Sequence, residues 1–316
     1  MAVSLFFTSC VEDGGIYHYT LQNGSIALRG FTPCDRPVYA IAEENRLWVL
    51  LRECFNDHTS GLQEYVIPDS GMLMPMGAPI STKGIVACHL CRFHEKVYAA
   101  NYLSGSIFCS DGTLDVHTGH GMHPRRQEAP HTHFVAPSPD QRFLLATDLG
   151  LDAVFVYDEF LNVHSVAHVP AGQGVRHLAC ADDGMTVFAA NELGSTVSMF
   201  TYHDGQLELR QTIHTLFHEC ENMPAAIRAR GEYVYVSNRG DDSISCLHWD
   251  QSGMELCSVT PCGGCWPRDF EIVENTIFCT NEKSNTVTIL SVDGTKIRDT
   301  GERITMKAPI CVAVGR

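Results

Sequence analysis

Three histidines, three arginines and two glutamates share one local context, at either end of a short apolar run. His131 and His133 stand in "PHTHFV", Arg176 and His177 in "VRHL", Glu192 in "ANEL", Arg239 in "SNRG", Arg268 in "WPRD" and Glu282 in "TNEK". Imidazoles exchange protons near neutral pH, and guanidinium forks hold a carboxylate or phosphate through two parallel hydrogen bonds. A glutamate beside them either orients the forks or moves a proton itself. The set describes acid–base chemistry on an anion, provided the chain brings residues 131 to 282 to one place.

Composition narrows what that anion can be. The chain has 316 residues, 44% of them hydrophobic and 19% charged, so it can bury a substantial core and is not disordered. A net charge of −15 opposes nucleic acid and anionic membrane surfaces, so an anionic ligand must be met by locally clustered arginines. No apolar run approaches the roughly 18 residues of a membrane span. The N-terminal "MAVSLFFTSC" lacks a preceding Lys or Arg and reads as a strand, not a signal peptide. Fourteen cysteines scattered through apolar segments suit a reducing, cytoplasmic setting. Cys88/Cys91 is expected to span a strand-to-strand turn and serve packing, whereas Cys262/Cys265, in a loop, is open to a labile disulfide or a metal.

The elements that must position the eight polar residues emerge from an internal repeat. "FFTSC", "WVLLR", "VYAANY", "FLLATDL", "VFAANEL", "YVYVSNR" and "IFCTNEK" place Ser9, Leu51, Asn101, Asp148, Asn191, Asn238 and Asn281 at equivalent positions, 42 to 50 residues apart. A second marker, Pro37, Gly84, Pro130, Val175, Pro224, Pro267 and Pro309, keeps the same period in another phase. Each unit holds four short strands separated by polar turns, the pattern of a β-propeller blade. The C-terminal "KAPICVAVGR" supplies only a first strand and the N-terminus supplies the strands that follow. A seventh blade shared between the termini therefore closes the ring and removes the open sheet edges. We expect an all-β, seven-bladed propeller of four-stranded antiparallel blades, occupying residues 1–316 as one domain.

First strands line the channel of a propeller, so the three residues after each Pro-type marker matter. Polar groups occur there only in blades three, four and six: His131 and His133, Arg176 and His177, and Arg268 with Asp269. Glu192, Arg239 and Glu282 follow second-strand markers in blades four to six. Recurrence at one phase argues for structure, as with Asp148, Asn191, Asn238 and Asn281, which are expected to brace blade turns. Asymmetry argues for function: one sector gathers His131, His133, Arg176, His177, Glu192, Arg239, Arg268 and Glu282. Blander roles stand beside this, His131 as a turn cap and Arg176 with Glu192 as a buried ion pair. His89, His94, His117, His120, His123 and His214 share no phase and are expected at the surface.

From about residue 125 to 290 the blades "PHTHFVAPSPDQRFLLATDLGLDAVFVYD", "GVRHLACADDGMTVFAANELGSTVSMF", "PAAIRARGEYVYVSNRGDDSISCL" and "WPRDFEIVENTIFCTNEKSNTVTIL" resemble the seven-bladed lactonase family. That family holds propeller-type 6-phosphogluconolactonases and the fungal carboxymuconate lactonising enzyme. The likeness is weaker in the first 120 residues, where a Pro at position 84 is missing, and Val175 stands where many relatives carry Pro. The resemblance implies His133, Arg176, Glu192 and Arg239 as the catalytic set and implies no metal; His131, His177, Arg268 and Glu282, gathered by the same asymmetry, are expected around the substrate, and no cofactor is expected. An Arg-rich pocket also disfavours a Ca²⁺ cage.

Lactone hydrolysis needs an activated water, a seat for the tetrahedral oxyanion and a proton for the leaving alkoxide. Either Glu192 or His133 can be the base; an arginine beside Glu192 lowers its basicity, which favours His133. Arg176 is assigned to the oxyanion and Arg239, helped by Arg268, to the anionic group. The expected substrate is a small anionic sugar lactone, 6-phospho-glucono-1,5-lactone of the pentose phosphate route, acted on by a cytoplasmic monomer or weak dimer. Another lactone, a muconate-type cyclisation, or a non-enzymatic interaction platform using the loop "HTGHGMHPRR" are the alternatives.

Overall fold

The computed structural model describes residues 2–315. Every regular element among them is a β-strand, and the strands form seven antiparallel sheets of four. Blade one spans residues 37–81, blade two 87–116, blade three 132–168, blade four 175–214, blade five 223–261 and blade six 267–305. Blade seven joins Pro309–Gly315 to Val3–Ser9, Gly15–Gln22 and Ser25–Pro33, with Phe6 opposite Ala313. The two ends of the chain thus close the ring by backbone pairing, as the truncated repeat predicts.

Alternation along the second strands explains how the blades pack. In Arg46–Leu51, Leu47 and Val49 face one neighbouring blade while Trp48 and Leu50 face the other, so both surfaces are apolar and the strand reads as a continuous hydrophobic run. Seven apolar layers result, one at each blade-to-blade junction. Burial falls towards the outer strands: Thr186–Asn191 is buried throughout, whereas Gln206–His214 of the same blade is mostly exposed or half-buried.

The second-strand markers brace the turns. Asn238 Nδ2 donates to Ser243 Oγ at 3.1 Å and Ser245 Oγ at 2.7 Å, and Asn191 Nδ2 donates to Thr196 Oγ1 and Ser198 Oγ, both at 2.9 Å. Each amide thereby pins the following strand across its turn.

The first-strand marker needs a correction in two blades. Pro37, Val175, Pro224, Pro267 and Pro309 lie opposite second-strand markers, but in blade two it is Ala87 that opposes Asn101, and in blade three Thr132 that opposes Asp148. Gly84 therefore stands three residues early and Pro130 two. Gly84 has a different equivalent: a Cβ there would lie 2.4 Å from the Asn101 side chain, and one on Gly264 would lie 2.3 Å from that of Asn281. Both glycines leave room for a bracing asparagine three residues before their strand begins.

With the register corrected, one position recurs in the first strands. The ladder shifts between Pro37 and Tyr39, Ala87 and His89, Thr132 and Phe134, Val175 and His177, and Pro267 and Asp269. The residue skipped in each case is Val38, Cys88, His133, Arg176 or Arg268. A bulge of this kind re-aims a side chain without ending the strand.

Candidate active site

The bulged residues meet. Val38, Cys88, His133, Arg176, Arg268 and Ile310 of blade seven line a narrow cavity of about 10 Å³ near the propeller axis. Val38, Cys88 and Ile310, of blades one, two and seven, make one side of the channel apolar, while His133, Arg176 and Arg268 make the other polar, with blade five contributing only Ala225 and Ala226 between the two arginines.

Glu192 organises the polar side. It follows the strand Thr186–Asn191, and its backbone N–H donates to the Gly174 carbonyl at 2.8 Å, tying the turn to the start of the neighbouring first strand. Its carboxylate receives three arginines. Arg239 Nη2 donates to Oε2 at 2.5 Å, Arg176 Nε lies 3.1 Å from the same oxygen without the alignment of a hydrogen bond, and Arg126 Nη2 donates to Oε1. Burial alone would push this carboxyl up, but Arg239, Arg176 and Arg126 outweigh it and hold Glu192 ionised, well below the usual carboxylate range. Arg268 is balanced separately by Glu282 at 3.1 Å. Three arginines around one glutamate leave a local excess of positive charge inside a chain of charge −15.

The arginines differ in what they have left to give. Arg239 is committed: Nε donates to the Met223 carbonyl at 3.2 Å and Nη2 to Glu192. Arg176 is 2% exposed and its Nη1 has no hydrogen-bond partner among the described residues. Burial, then the repulsion of Arg239 and Arg268, pushes its guanidinium down to about 9, so it remains a cation at neutral pH with donors unused.

His133 is equally unspent. Its ring is buried, 5.2 Å from the His177 ring and 5.6 Å from Tyr102, and Nδ1 has no hydrogen-bond partner among the described residues. Burial, with the charge of Arg176, holds the imidazole well below its ordinary pKa of 6.5 and therefore neutral. His177 is neutral for the same reasons and packs against Phe134. His131, preceding its strand, lies outside the cavity lining. It stacks on Tyr102 at 4.6 Å, and its Nδ1–H donates to the Tyr102 carbonyl at 3.1 Å.

The structure corrects three expectations. His89 is buried between Tyr39 and Phe134, with ring centroids at 4.1 and 4.0 Å, and His117 is buried with Nδ1 2.6 Å from Asp148 Oδ2 and Nε2 2.5 Å from the Tyr157 hydroxyl. Neither is a surface residue: the misplaced marker of blade two hid His89, and His117 falls outside the repeat. Cys88 and Cys91 share the strand Ala87–Phe93 and do not span a turn. Burial raises the Cys88 thiol to about 12, which removes it as a nucleophile despite its place in the cavity. All fourteen cysteines, Cys262 and Cys265 included, are free thiols.

Repeat phase also misses Arg126. It belongs to the loop between blades two and three, anchored by fully buried Gln127, whose Nε2 donates to the Leu149 carbonyl at 2.8 Å and whose Oε1 accepts from the N–H groups of Met122 and His123. Arg126 Nη2 also lies 3.4 Å from the Tyr102 hydroxyl. The available sequence signal is the pair of arginines in "HPRRQE", which lies outside the repeated positions.

The chain has relatives of the same fold. An uncharacterised Staphylococcus aureus protein is 30% identical over 303 residues, covering 86% of this chain and 87% of its own length. Crystal structures of a candidate 6-phosphogluconolactonase from Bacteroides fragilis (TM-score 0.90, 23% identity, 99% of this chain and 98% of that one) and of the periplasmic gluconolactonase PpgL from Pseudomonas aeruginosa (TM-score 0.88, 22% identity, 99% of each chain) share the fold. The family described as "Lactonase, 7-bladed beta-propeller" matches residues 4–314, and with that match over nearly its whole length the chain belongs to the seven-bladed β-propeller lactonases.

Proposed function

We propose that the protein hydrolyses a lactone bearing an anionic group, 6-phospho-glucono-1,5-lactone foremost. The observation that carries this reading is a neutral His133 with a free ring nitrogen beside an Arg176 with free donors, next to a glutamate locked by arginines. In the tautomer protonated on Nε2, His133 Nδ1 accepts a proton from water as the water oxygen attacks the lactone carbonyl carbon. Arg176 faces the oxyanion of the tetrahedral intermediate, where a buried cation is worth most. Collapse breaks the bond to the ring oxygen, and imidazolium returns the proton to that leaving alkoxide, giving the open hydroxy acid.

Glu192 is a poor base in this scheme, because its charge is stabilised and its oxygens already accept from arginines. It holds Arg176 in place, and Arg239 meets the same carboxylate oxygen. The anionic substituent falls to Arg126, one-third exposed at the rim, and to Arg268. Names of structural neighbours, a candidate 6-phosphogluconolactonase and a gluconolactonase, agree with this chemistry and differ on the phosphate. Fourteen free thiols favour the cytoplasm, although the Pseudomonas relative is periplasmic.

The test is hydrolysis of freshly generated 6-phosphogluconolactone and of unphosphorylated gluconolactone, spontaneous opening subtracted and EDTA present. Phosphate-dependent acceleration that His133→Ala abolishes supports the proposal; no acceleration over background for either lactone overturns it.

A further inference from the structure

Outside the channel, one cluster brings together three different metal-binding side chains. His218 and Cys220 come from the connection between blades four and five, and Asp241 from the turn after the second strand of blade five, two residues beyond Arg239. His218 Nε2 lies 3.0 Å from Asp241 Oδ1 and Cys220 Sγ 3.9 Å from the same oxygen, and one donor atom from each residue falls within a 4.8 Å span. Ligand atoms on a tetrahedral zinc are separated by about 3.3–3.7 Å, given Zn–N and Zn–O near 2.1 Å and Zn–S near 2.3 Å. The observed spacings flank those values, so small rotations of exposed side chains suffice.

Two features set the cluster apart from an ordinary surface ion pair. Asp241 is only 15% exposed, yet no Arg or Lys meets its carboxylate among the described residues; its side-chain partners are the imidazole and the thiol. The loop carrying His218 and Cys220 also borders a cavity of about 480 Å³, lined in addition by Gly194, Ser195, His214 and Phe217. That cavity adjoins the turn that bears Glu192.

We propose that His218, Cys220 and Asp241 form a binding site for a borderline-soft divalent cation, Zn²⁺ in the first instance, on the rim of the channel. Thiolate, imidazole and carboxylate together suit zinc, whereas Mg²⁺ and Ca²⁺ take oxygen ligands. Three protein ligands leave a fourth position for water or for a donor group on a molecule in the adjoining cavity. The site is separate from the residues assigned to lactone hydrolysis and does not depend on that assignment. Binding would tie the blade four–five connection to the turn beyond Arg239.

The experiment is a Zn²⁺ titration of tag-free, chelator-stripped, reduced protein against a chromophoric zinc indicator, with His218→Ala, Cys220→Ser and Asp241→Asn alongside and Cys265→Ser as the control thiol. One equivalent bound at micromolar or lower concentration, weakened about tenfold or more in each of the three variants and unchanged in the control, is expected. A rise in melting temperature with Zn²⁺ should be present in wild type and lost in Cys220→Ser. No stoichiometric binding, or binding that survives both His218→Ala and Cys220→Ser, overturns the proposal and leaves an ion pair. Unaltered melting of the variants without zinc separates loss of a ligand from loss of the fold.

Discussion

Replacing Glu192 by Gln keeps the shape of the side chain and removes the one charge that three guanidinium groups share. Arg176 and Arg239 are 3% and 7% exposed at their side chains, so their mutual repulsion is no longer offset and water cannot replace the lost carboxylate. Breaking a buried ion pair in this way costs about 3–5 kcal/mol. Arg126 is one-third exposed and adds at most about 1 kcal/mol. For a chain of this length each kcal/mol corresponds to roughly 2 °C, so the melting temperature should fall by about 6–10 °C at pH 7. The pH dependence has a definite sign. Glu192 is held below its ordinary 4.5, so its contribution is complete above pH 4.5 and fades only as the pH drops towards the depressed folded value. Wild type and variant should therefore differ fully at pH 7 and 5.5 and converge in stronger acid. Adding Arg176→Met to Glu192→Gln removes one of the stranded cations and should recover part of the loss, which scanning fluorimetry across the four-protein cycle reads directly. Equal melting of wild type and Glu192→Gln at pH 7, or a double variant as unstable as the sum of the two singles, would refute the view that one carboxylate holds this cluster together.

His133→Ala should lower kcat for lactone opening by about 10²- to 10⁴-fold. Because burial and Arg176 keep His133 neutral well below 6.5, the wild-type rate should stay flat from pH 8 through 6.5 and decline only in more acidic solution; a pH-stat profile with a midpoint at 6.5 contradicts this. Arg126→Ala should raise KM for the phosphorylated lactone by about 10- to 100-fold, the worth of a charged hydrogen bond, and change KM for gluconolactone little. A parallel rise for both lactones would show that Arg126 does not meet the phosphate. Gly84→Ala and Gly264→Ala should each destabilise by about 1–3 kcal/mol, because their new methyl groups meet the bracing Asn101 and Asn281 at under 2.5 Å. Similar losses in urea unfolding would support their equivalence in the repeat.

The residues that sequence reading placed well are those whose position the ladder dictates. Arg176 and Arg268 follow markers that do oppose a second-strand marker, so counting one residue onward lands on the bulge that aims them at the axis. His133 differs: it is third after Pro130 in sequence, whereas hydrogen bonding makes it first, one residue beyond Thr132. The difference matters for its neighbours. His131, reached by the same count, drops out of the cavity lining to stack on Tyr102, and His89, never reached, packs beneath His177 at 5.2 Å. Proline was a deceptive marker because it tolerates the strand edge and the preceding turn alike, while the pairing that fixes register is carried by backbone groups with no sequence signature. Arg126 carries only the weak signal of its paired arginines, for the opposite reason. Periodicity finds what every blade repeats, and the loop between blades two and three occurs once, so its anchoring by Gln127 and its reach to Glu192 exist only in three dimensions. A propeller makes its scaffold from what recurs and its chemistry from what does not, and the polar sector here follows that division: recurring Asn101, Asn191, Asn238 and Asn281 brace the turns, while Glu192, the one carboxylate buried among second-strand followers, gathers arginines from two blades and a loop.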